Sequence, residues 1–445
     1  MSNLEVNTEQ TNGFLDKLFK LSENNTNVKN ELLAGFTTFM TMAYIVFVNP
    51  SILSDAGMPF GGVFIATIAG AIVGTLCMAF LANYPFVLAS GMGLNAYFTY
   101  SVCLNMDVSW QAALGVIFVE GIIFIILSVT PVRKMIVNCI PMALKTGISA
   151  GIGLFIAFIG LQNANIVVAS KSTLVQMGNI VSGPSLVALI GLIVTGILYS
   201  LEIRGALLWG IIISTLFGTL NGVTPEFNGI VGMPQMSEWS GVLFQLDIKA
   251  ALDAGFIVIL LSFLFVDMFD TAGTLVGVSQ QAGYLDEDGN LPRANQALMA
   301  DAIGTTAGAL FGTTTVTTFV ESASGVAEGG RTGLTGVFAS LFFFLTLFFK
   351  PLVGMVPGAA TAPVLIIVGT MMMSNIVKLD WDDFTEIFPA FVAMIAMPLT
   401  YSISNGIALG FIIYPLIKLF TGKGEKVHWL VYTLGVVFVF YFIFL

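Results

Sequence analysis

The sequence predicts an all-α polytopic membrane protein of fourteen spans, built as a seven-plus-seven inverted repeat with short β-strands inside discontinuous spans 3 and 10. Three observations predict it. Only 9% of the 445 residues are charged and 56% are hydrophobic, whereas a soluble domain carries about 25% charged residues. Apolar runs of roughly 17–25 residues, each long enough to cross a bilayer, recur along the chain. Two further runs, PFVLASGMGLNAYF (85–98) and TFVESASGVAEGGRT (318–332), are too short to cross as helices and resemble each other.

The spans fall at 33–49, 62–82, 86–100, 111–130, 141–161, 184–201 and 205–222, then at 252–277, 295–312, 318–332, 335–353, 358–376, 384–402 and 404–420. A further apolar stretch, 428–445, is left over. Residues 1–30 are polar with no signal-peptide core, so the N-terminus is expected in the cytoplasm. With that orientation Lys17, Lys20, Lys29, Arg133, Lys134, Lys145, Arg204, Arg293, Arg331, Lys378, Lys418, Lys423 and Lys426 lie inside, 13 of the 16 basic residues. The positive-inside rule therefore favours this topology over its inverse.

Seven spans is an odd number, so a repeated seven-span unit sits upside down relative to the first. A constant offset of 234 aligns Ala66, Gly70, Gly74, Ala89, Ser90 and Gly91 with Ala300, Gly304, Gly308, Ala323, Ser324 and Gly325. Paired, interrupted short spans in inverted repeats point to a secondary transporter with its substrate site near the midplane. TTTVTTFV (313–320) has the composition of a strand, and ESASGVAEGG that of a helix start. Non-helical backbone at membrane depth survives only when buried in protein or lining a cavity, so the two strands are expected to pair antiparallel. Half-helices after them would aim their positive N-terminal ends at the midplane. Gly304, Gly308 and Gly312 have the spacing that lets helices approach closely.

Ionisable residues inside spans are costly and mark function by default. LSFLFVDMFDTAGTLVGV carries Asp267 and Asp270, three apart and hence on one helical face. Asp301 begins the ninth span, and Glu321 stands at the strand-to-helix junction. Asp267 and Glu321 are the candidates for ligand and proton. Asp270, beside Thr271, serves equally as a structural partner of backbone or hydroxyl groups. Asp301 is read as a cap of the ninth helix or a bond to the strand region. Glu328 is read as solvated or ion-paired beside Arg331 at the cytoplasmic mouth. A protonated carboxyl donates a hydrogen bond and an ionised one only accepts, so one buried acid can recognise a polar planar ligand and carry a proton. Cys77, Cys103 and Cys139 have no metal-ligand spacing, and His428 lies beyond the main body. The net charge of -10 comes with no basic tract suggesting nucleic acid. There is no nucleophile paired with a base, no metal cluster and no phosphate loop; no enzyme activity and no cofactor is expected.

The blocks NELLAGFTTFMTMAYIVFVNPSILSDAGM (30–58), ASGMGLNAYF, KTGISAGIGLFIAFIGLQNA, FDTAGTLVGV, TTFVESASGVAEGGRTGLT and YSISNGIALGF resemble, in order, those of AzgA-like purine permeases. This is a branch of the nucleobase–cation symporters that also hold uracil and xanthine permeases. The resemblance implies a core domain (31–135 and 251–355) moving against a gate domain (136–250 and 356–445), in a plasma-membrane protein taking up purine bases with protons. Carried over by position, it assigns Asp267, Glu321 and Asn95 to the substrate, with Asp270 and Asp301 as polar positions of structural or coupling type. Backbone groups at Ala89–Gly91 and Ser322–Gly325, including Ala323, are expected to add donors. ATAPVLIIVGTMM and MPLTYSISNGIALGF resemble the hypoxanthine/guanine subgroup more than the adenine one. Homodimers occur in related folds. An anion transporter on the same fold would want a basic or neutral midplane, which two buried acids oppose.

Overall fold

The structure is a computed structural model that describes residues 13–130, 139–181, 183–225, 229–253, 256–286 and 291–444. Arg133, Lys134, residues 1–12 of the predicted N-terminal segment and the predicted 135/136 domain boundary lie outside the described residues.

In chain order the helices are α1 (Phe14–Phe19), α2 (Val28–Met42), α3 (Ile45–Asp55), α4 (Phe60–Cys77), α5 (Met92–Ala96), α6 (Trp110–Ser128), α7 (Met142–Asn163), α8 (Gly183–Ser200), α9 (Ala206–Leu220), α10 (Met236–Trp239), α11 (Ile248–Asp253), α12 (Phe256–Ala282), α13 (Ala294–Phe311), α14 (Ser322–Ala327), α15 (Gly333–Thr346), α16 (Lys350–Val353), α17 (Gly358–Met373), α18 (Phe384–Thr400), α19 (Ile403–Phe420) and α20 (Trp429–Phe444). The strands are β1 (Leu88–Ser90), β2 (Val167–Ser170), β3 (Leu174–Met177) and β4 (Val316–Thr318). Among the described residues eight helices are long and apolar enough to cross a membrane, where the sequence predicted fourteen spans. Of the other six segments, three are the shorter apolar helices α9, α17 and α18, one is α13, and two are the broken spans.

Small residues set the helix spacing. A Cβ on Gly153 of α7 would stand 2.5 Å from Gly369 O of α17, so these helices touch backbone to backbone. α7 also packs on α18, α8 on α9 and α17, and α13 on α4 and α6. The start of α18 is tied to the end of α19: Lys418, 3% exposed, meets Glu386 Oε1 at 2.5 Å and Thr385 Oγ1 at 2.7 Å. Asp383 caps α18 by accepting from Thr385 N at 2.9 Å and pairs with Lys423 at 2.8 Å. The Lys423 and Thr385 donors hold its carboxyl well below the usual range. The left-over apolar stretch forms α20, packed on α19 through Phe411 and Phe438. β2 and β3 form a hairpin that the sequence reading did not anticipate.

At the centre, β1 pairs antiparallel with β4, Leu88 opposite Thr318 and Ser90 opposite Val316. The strands are shorter than the predicted 313–320. A two-stranded ribbon leaves its outer edges unpaired, which a membrane interior does not tolerate. Two threonine hydroxyls close them. Thr75 Oγ1 of α4 accepts from Leu88 N at 2.9 Å and donates to Leu88 O at 3.2 Å. Thr305 Oγ1 of α13 accepts from Val316 N at 3.3 Å and donates to Val316 O at 3.2 Å. One hydroxyl both donates and accepts, so each clamp satisfies two backbone groups.

These clamps correct the repeat register. Thr75 and Thr305 are equivalent at an offset of 230, and the half-helix starts Met92 and Ser322 share that offset. The offset of 234 is one helical turn too long. Gly-xxx-Gly spacing matches itself when slid by four residues, so composition could not separate the two registers. The error placed Ala89 and Ser90, which are strand, onto Ala323 and Ser324, which are helix. Gly74 and Gly304 meet where α4 crosses α13: a Cβ on Gly304 would lie 3.1 Å from Gly74 Cα. Gly312 instead ends α13 at a φ of 93°, a left-handed value that suits glycine.

Candidate functional site

The run Thr313-Thr314-Thr315 enters β4, and each hydroxyl reaches a different element. Thr313 Oγ1 accepts from Asn49 Nδ2 of α3 at 2.9 Å and bonds Ser90 Oγ at 2.7 Å. Thr314 Oγ1 donates to Asn95 Oδ1 of α5. Thr315 Oγ1 reaches Glu120 Oε2 of α6 at 3.5 Å. Asn95 also donates to Ser90 O at 3.4 Å. Threonine is a strand former that carries its own hydroxyl, so one run makes both the extended backbone and its supports.

Between β4 and α14 the chain takes a tight turn through Phe319, Val320 and Glu321. Glu321 is the N-cap residue of α14 and makes no side-chain cap bond. Its carboxylate instead faces Tyr44, whose hydroxyl donates to Oε1 at 2.7 Å. Tyr44 lies in the break between α2 and α3 and is 1% exposed, while Glu321 is only partly buried and Val320 beside it is 48% exposed. Asp270, partly buried, is close enough to interact with Glu321 and with Thr317. Tyr199 of α8 also comes within electrostatic reach of Glu321.

Asp267 joins a separate, deeper group. Thr271 Oγ1 lies 3.2 Å from Asp267 Oδ1 and 3.1 Å from both oxygens of Asp301. Asp301 Oδ1 accepts from Thr318 N at 3.2 Å. Asp267, Thr271 and Asp301 are all 0% exposed. The bond to the strand is thus the alternative Asp301 takes. It is the eighth residue of α13, and the alternative of a helix cap is overturned. Asp267 and Glu321, treated together in the sequence reading, enter different networks, and Asp270 is the α12 acid beside Glu321.

Other expected positions are scaffold. Ser322 Oγ accepts from Val87 N at 3.0 Å, and Ala89 is buried in the ladder opposite Thr317. Gly325 is pressed against α2, where a Cβ would stand 2.8 Å from Ala34 O. The expected backbone donors are engaged locally: Ser322 N, Ala323 N and Ser324 N bond Phe319 O, Val320 O and Glu321 O at 3.2, 3.0 and 2.9 Å. Gly91 N bonds Thr315 O at 3.0 Å. Glu328 pairs with Arg204, and Arg331 bonds Val326 O and Gly330 O at 2.7 and 2.8 Å.

Two buried acids were not singled out. Glu120 stands mid-helix in VIFVEGIIF, where a lone acid in a span is itself the signal. Glu31, 0% exposed, accepts from Arg331 N, Thr335 N and Thr335 Oγ1 at 2.9, 3.0 and 2.5 Å, so it caps the start of α15 from α2. Among the described residues no group of three or more His, Cys, Asp or Glu could hold a metal ion.

The Permease family model named Xan_ur_permease matches residues 29–409. A Methanocaldococcus jannaschii protein named only as a permease is 54% identical over 97% of this chain and 99% of its own length. The guanine/hypoxanthine permease PbuO of Bacillus subtilis is 46% identical over 95% of this chain and 98% of its own. The adenine permease AdeP of Escherichia coli is 43% identical over 95% of this chain and 94% of its own. Among solved structures, the transmembrane domain of a cyanobacterial bicarbonate transporter, BicA, aligns with a TM-score of 0.64 at 16% identity, over 86% of this chain and 97% of that one. That likeness establishes the fold. The family match over residues 29–409 and relatives alike over nearly the whole chain settle the family: the chain is a member of the Permease family, a membrane transporter.

Proposed function

We propose that the protein is a secondary active importer of purine nucleobases, hypoxanthine and guanine before adenine, driven by proton symport in the plasma membrane with its N-terminus cytoplasmic. The observation that carries the proposal is Glu321, a partly buried acid at the β4–α14 turn, held by the buried Tyr44 hydroxyl with Asp270 close by. A carboxylate accepts from a ring N–H or amino edge and, when protonated, donates to a carbonyl or ring nitrogen. Purine bases offer both edges, and relatives similar over nearly the whole chain are named for guanine/hypoxanthine and adenine. Asn95, bonded to Thr314, fixes the partner half-helix. Asp267, tied through Thr271 to Asp301, is the carboxyl set back from the ligand and suited to the proton.

Movement is elevator-like in this proposal: the core, 31–135 and 251–355, moves against the gate, 136–250 and 356–445, as one of two copies. Polar contacts cross that seam at Tyr97–Ser404 (2.5 Å), Asn163–Tyr100 (3.2 Å) and Arg204–Glu328. Competition of guanine, adenine, xanthine and uracil against radiolabelled hypoxanthine uptake, with and without a protonophore, tests the proposal. Guanine is expected to compete best and the protonophore to abolish accumulation. Selective competition by adenine would move the assignment to the adenine subgroup. Uptake of an inorganic anion instead of a base would overturn it.

A further inference from the structure

Glu120 is a buried carboxylate with no role in the site described so far. It is the eleventh residue of the 19-residue helix α6, hence near mid-membrane, and is 0% exposed. Its Oε2 has only the long contact to Thr315 Oγ1 at 3.5 Å, and its Oε1 has no hydrogen-bond partner among the described residues. Thr318 Oγ1, also buried, lacks one too among the described residues. α6 packs along α13, so closely that a Cβ on Gly121 would stand 2.9 Å from Thr306 N, and this brings Glu120 within electrostatic reach of Asp301.

We infer that Glu120 and Asp301 form a carboxyl pair behind β4 that shares the coupled proton with Asp267, apart from the ligand. This rests on the proton-symport proposal and extends it. Two buried carboxylates within electrostatic reach of each other in an apolar interior resist being ionised together, and one shared proton removes half the charge. Asp267, behind Thr271, is the other acid facing the pair. On the remaining neighbours, Asp270 turns toward Thr317 and Glu321, Tyr97 toward Ser404, and Tyr100 toward Asp55; Asp247 meets α6 at Gly115 through its carbonyl. Lys249 of α11 is exposed, and no ion pair of the described residues reaches Glu120.

The pair is linked to the ligand acid by β4 itself. Glu120 touches the strand at Thr315, Asp301 accepts from Thr318 N, and Glu321 follows three residues later. Gain or loss of the proton changes the hold on Thr315–Thr318 and therefore the position of the turn that carries Glu321. A ligand that orders that turn raises the affinity for the proton by the same factor.

The test uses the full-length protein in liposomes, as wild type, Glu120→Gln and Glu120→Asp. Two rates are measured: hypoxanthine accumulation driven by an inward proton gradient, and hypoxanthine–hypoxanthine exchange with no gradient. A trapped pH dye reports protons moved with the base. Glu120→Gln is expected to lose accumulation by about tenfold or more and to lose the dye signal, while exchange stays within about threefold. Glu120→Asp is expected to recover part of the accumulation. The inference is overturned if Glu120→Gln still concentrates hypoxanthine with protons, if it loses exchange along with accumulation, or if wild-type accumulation follows a sodium gradient. A wild type that exchanges no purine would sink the transport proposal itself, and the inference with it.

Discussion

Replacing Thr305 by valine keeps the shape of the side chain and removes the hydroxyl that clamps Val316. The clamp accepts from Val316 N at 3.3 Å and donates to Val316 O at 3.2 Å. Both backbone groups are buried in a membrane-embedded centre. Each would be left without a partner at a cost of about 1–3 kcal/mol, so the edge of β4 loses about 2–6 kcal/mol. At about 1.4 kcal/mol per tenfold change, amide exchange through local opening of residues 313–320 should speed up by about 30-fold or more. Hydrogen exchange read by mass spectrometry on purified protein measures this directly. Thr305→Ser keeps the hydroxyl and should stay near wild type. Thr75→Val should do to residues 86–90 what Thr305→Val does to 313–320, because Thr75 clamps Leu88 in the same way. Exchange unchanged in Thr305→Val, or equally fast in Thr305→Ser, would refute the reasoning.

Tyr44→Phe removes one donor to a carboxylate, worth about 1.5–3 kcal/mol, so the KM for hypoxanthine should rise by about 10- to 150-fold; an unchanged KM would mean Tyr44 does not set the acid. Gly304→Val should sharply lower the yield of folded protein in detergent chromatography, because a Cβ there already lies 3.1 Å from Gly74 Cα and 3.2 Å from Val316 Cγ1. Arg204→Ala should shift the thermal midpoint little, since the Arg204 side chain is 63% exposed and its pair with Glu328 is screened, worth under about 1 kcal/mol. Asp383 has a folded pKa below its unfolded one, so its contribution is fully present above the ordinary aspartate range and fades as pH falls through the depressed value. The stability gap between wild type and Asp383→Asn should therefore hold from neutral pH to about pH 5 and shrink in stronger acid, and a gap that grows on acidification would reverse the assignment.

The sequence made the strand-then-helix character of 313–327 legible, because a β-branched run followed by small residues is a local signal. It also made Asp267, Asp270 and Asp301 visible, because acids in apolar spans stand out. It did not show which acid faces which neighbour. Asp267 and Asp270 are three residues apart on one helix, and a rotation of about 60° sends one behind the strand and the other toward Glu321. The clamps were hidden for a different reason: threonine is common in spans, and nothing local marks Thr75 and Thr305 as partners of backbone many residues away. The second broken span also carries a three-residue turn, Phe319–Glu321, where the first has Gly91 alone. That difference gives the second half an acid with no counterpart in the first, and no single offset could have aligned both.

The central claim is that a purine base binds at Glu321 in the turn between β4 and α14. Equilibrium binding of radiolabelled hypoxanthine to purified protein, comparing wild type with Glu321→Gln, tests it most directly. The predicted result is saturable binding to wild type, displaced by guanine, and an affinity about 10- to 100-fold weaker in Glu321→Gln with its thermal midpoint preserved. Equal affinity in the two proteins would contradict it.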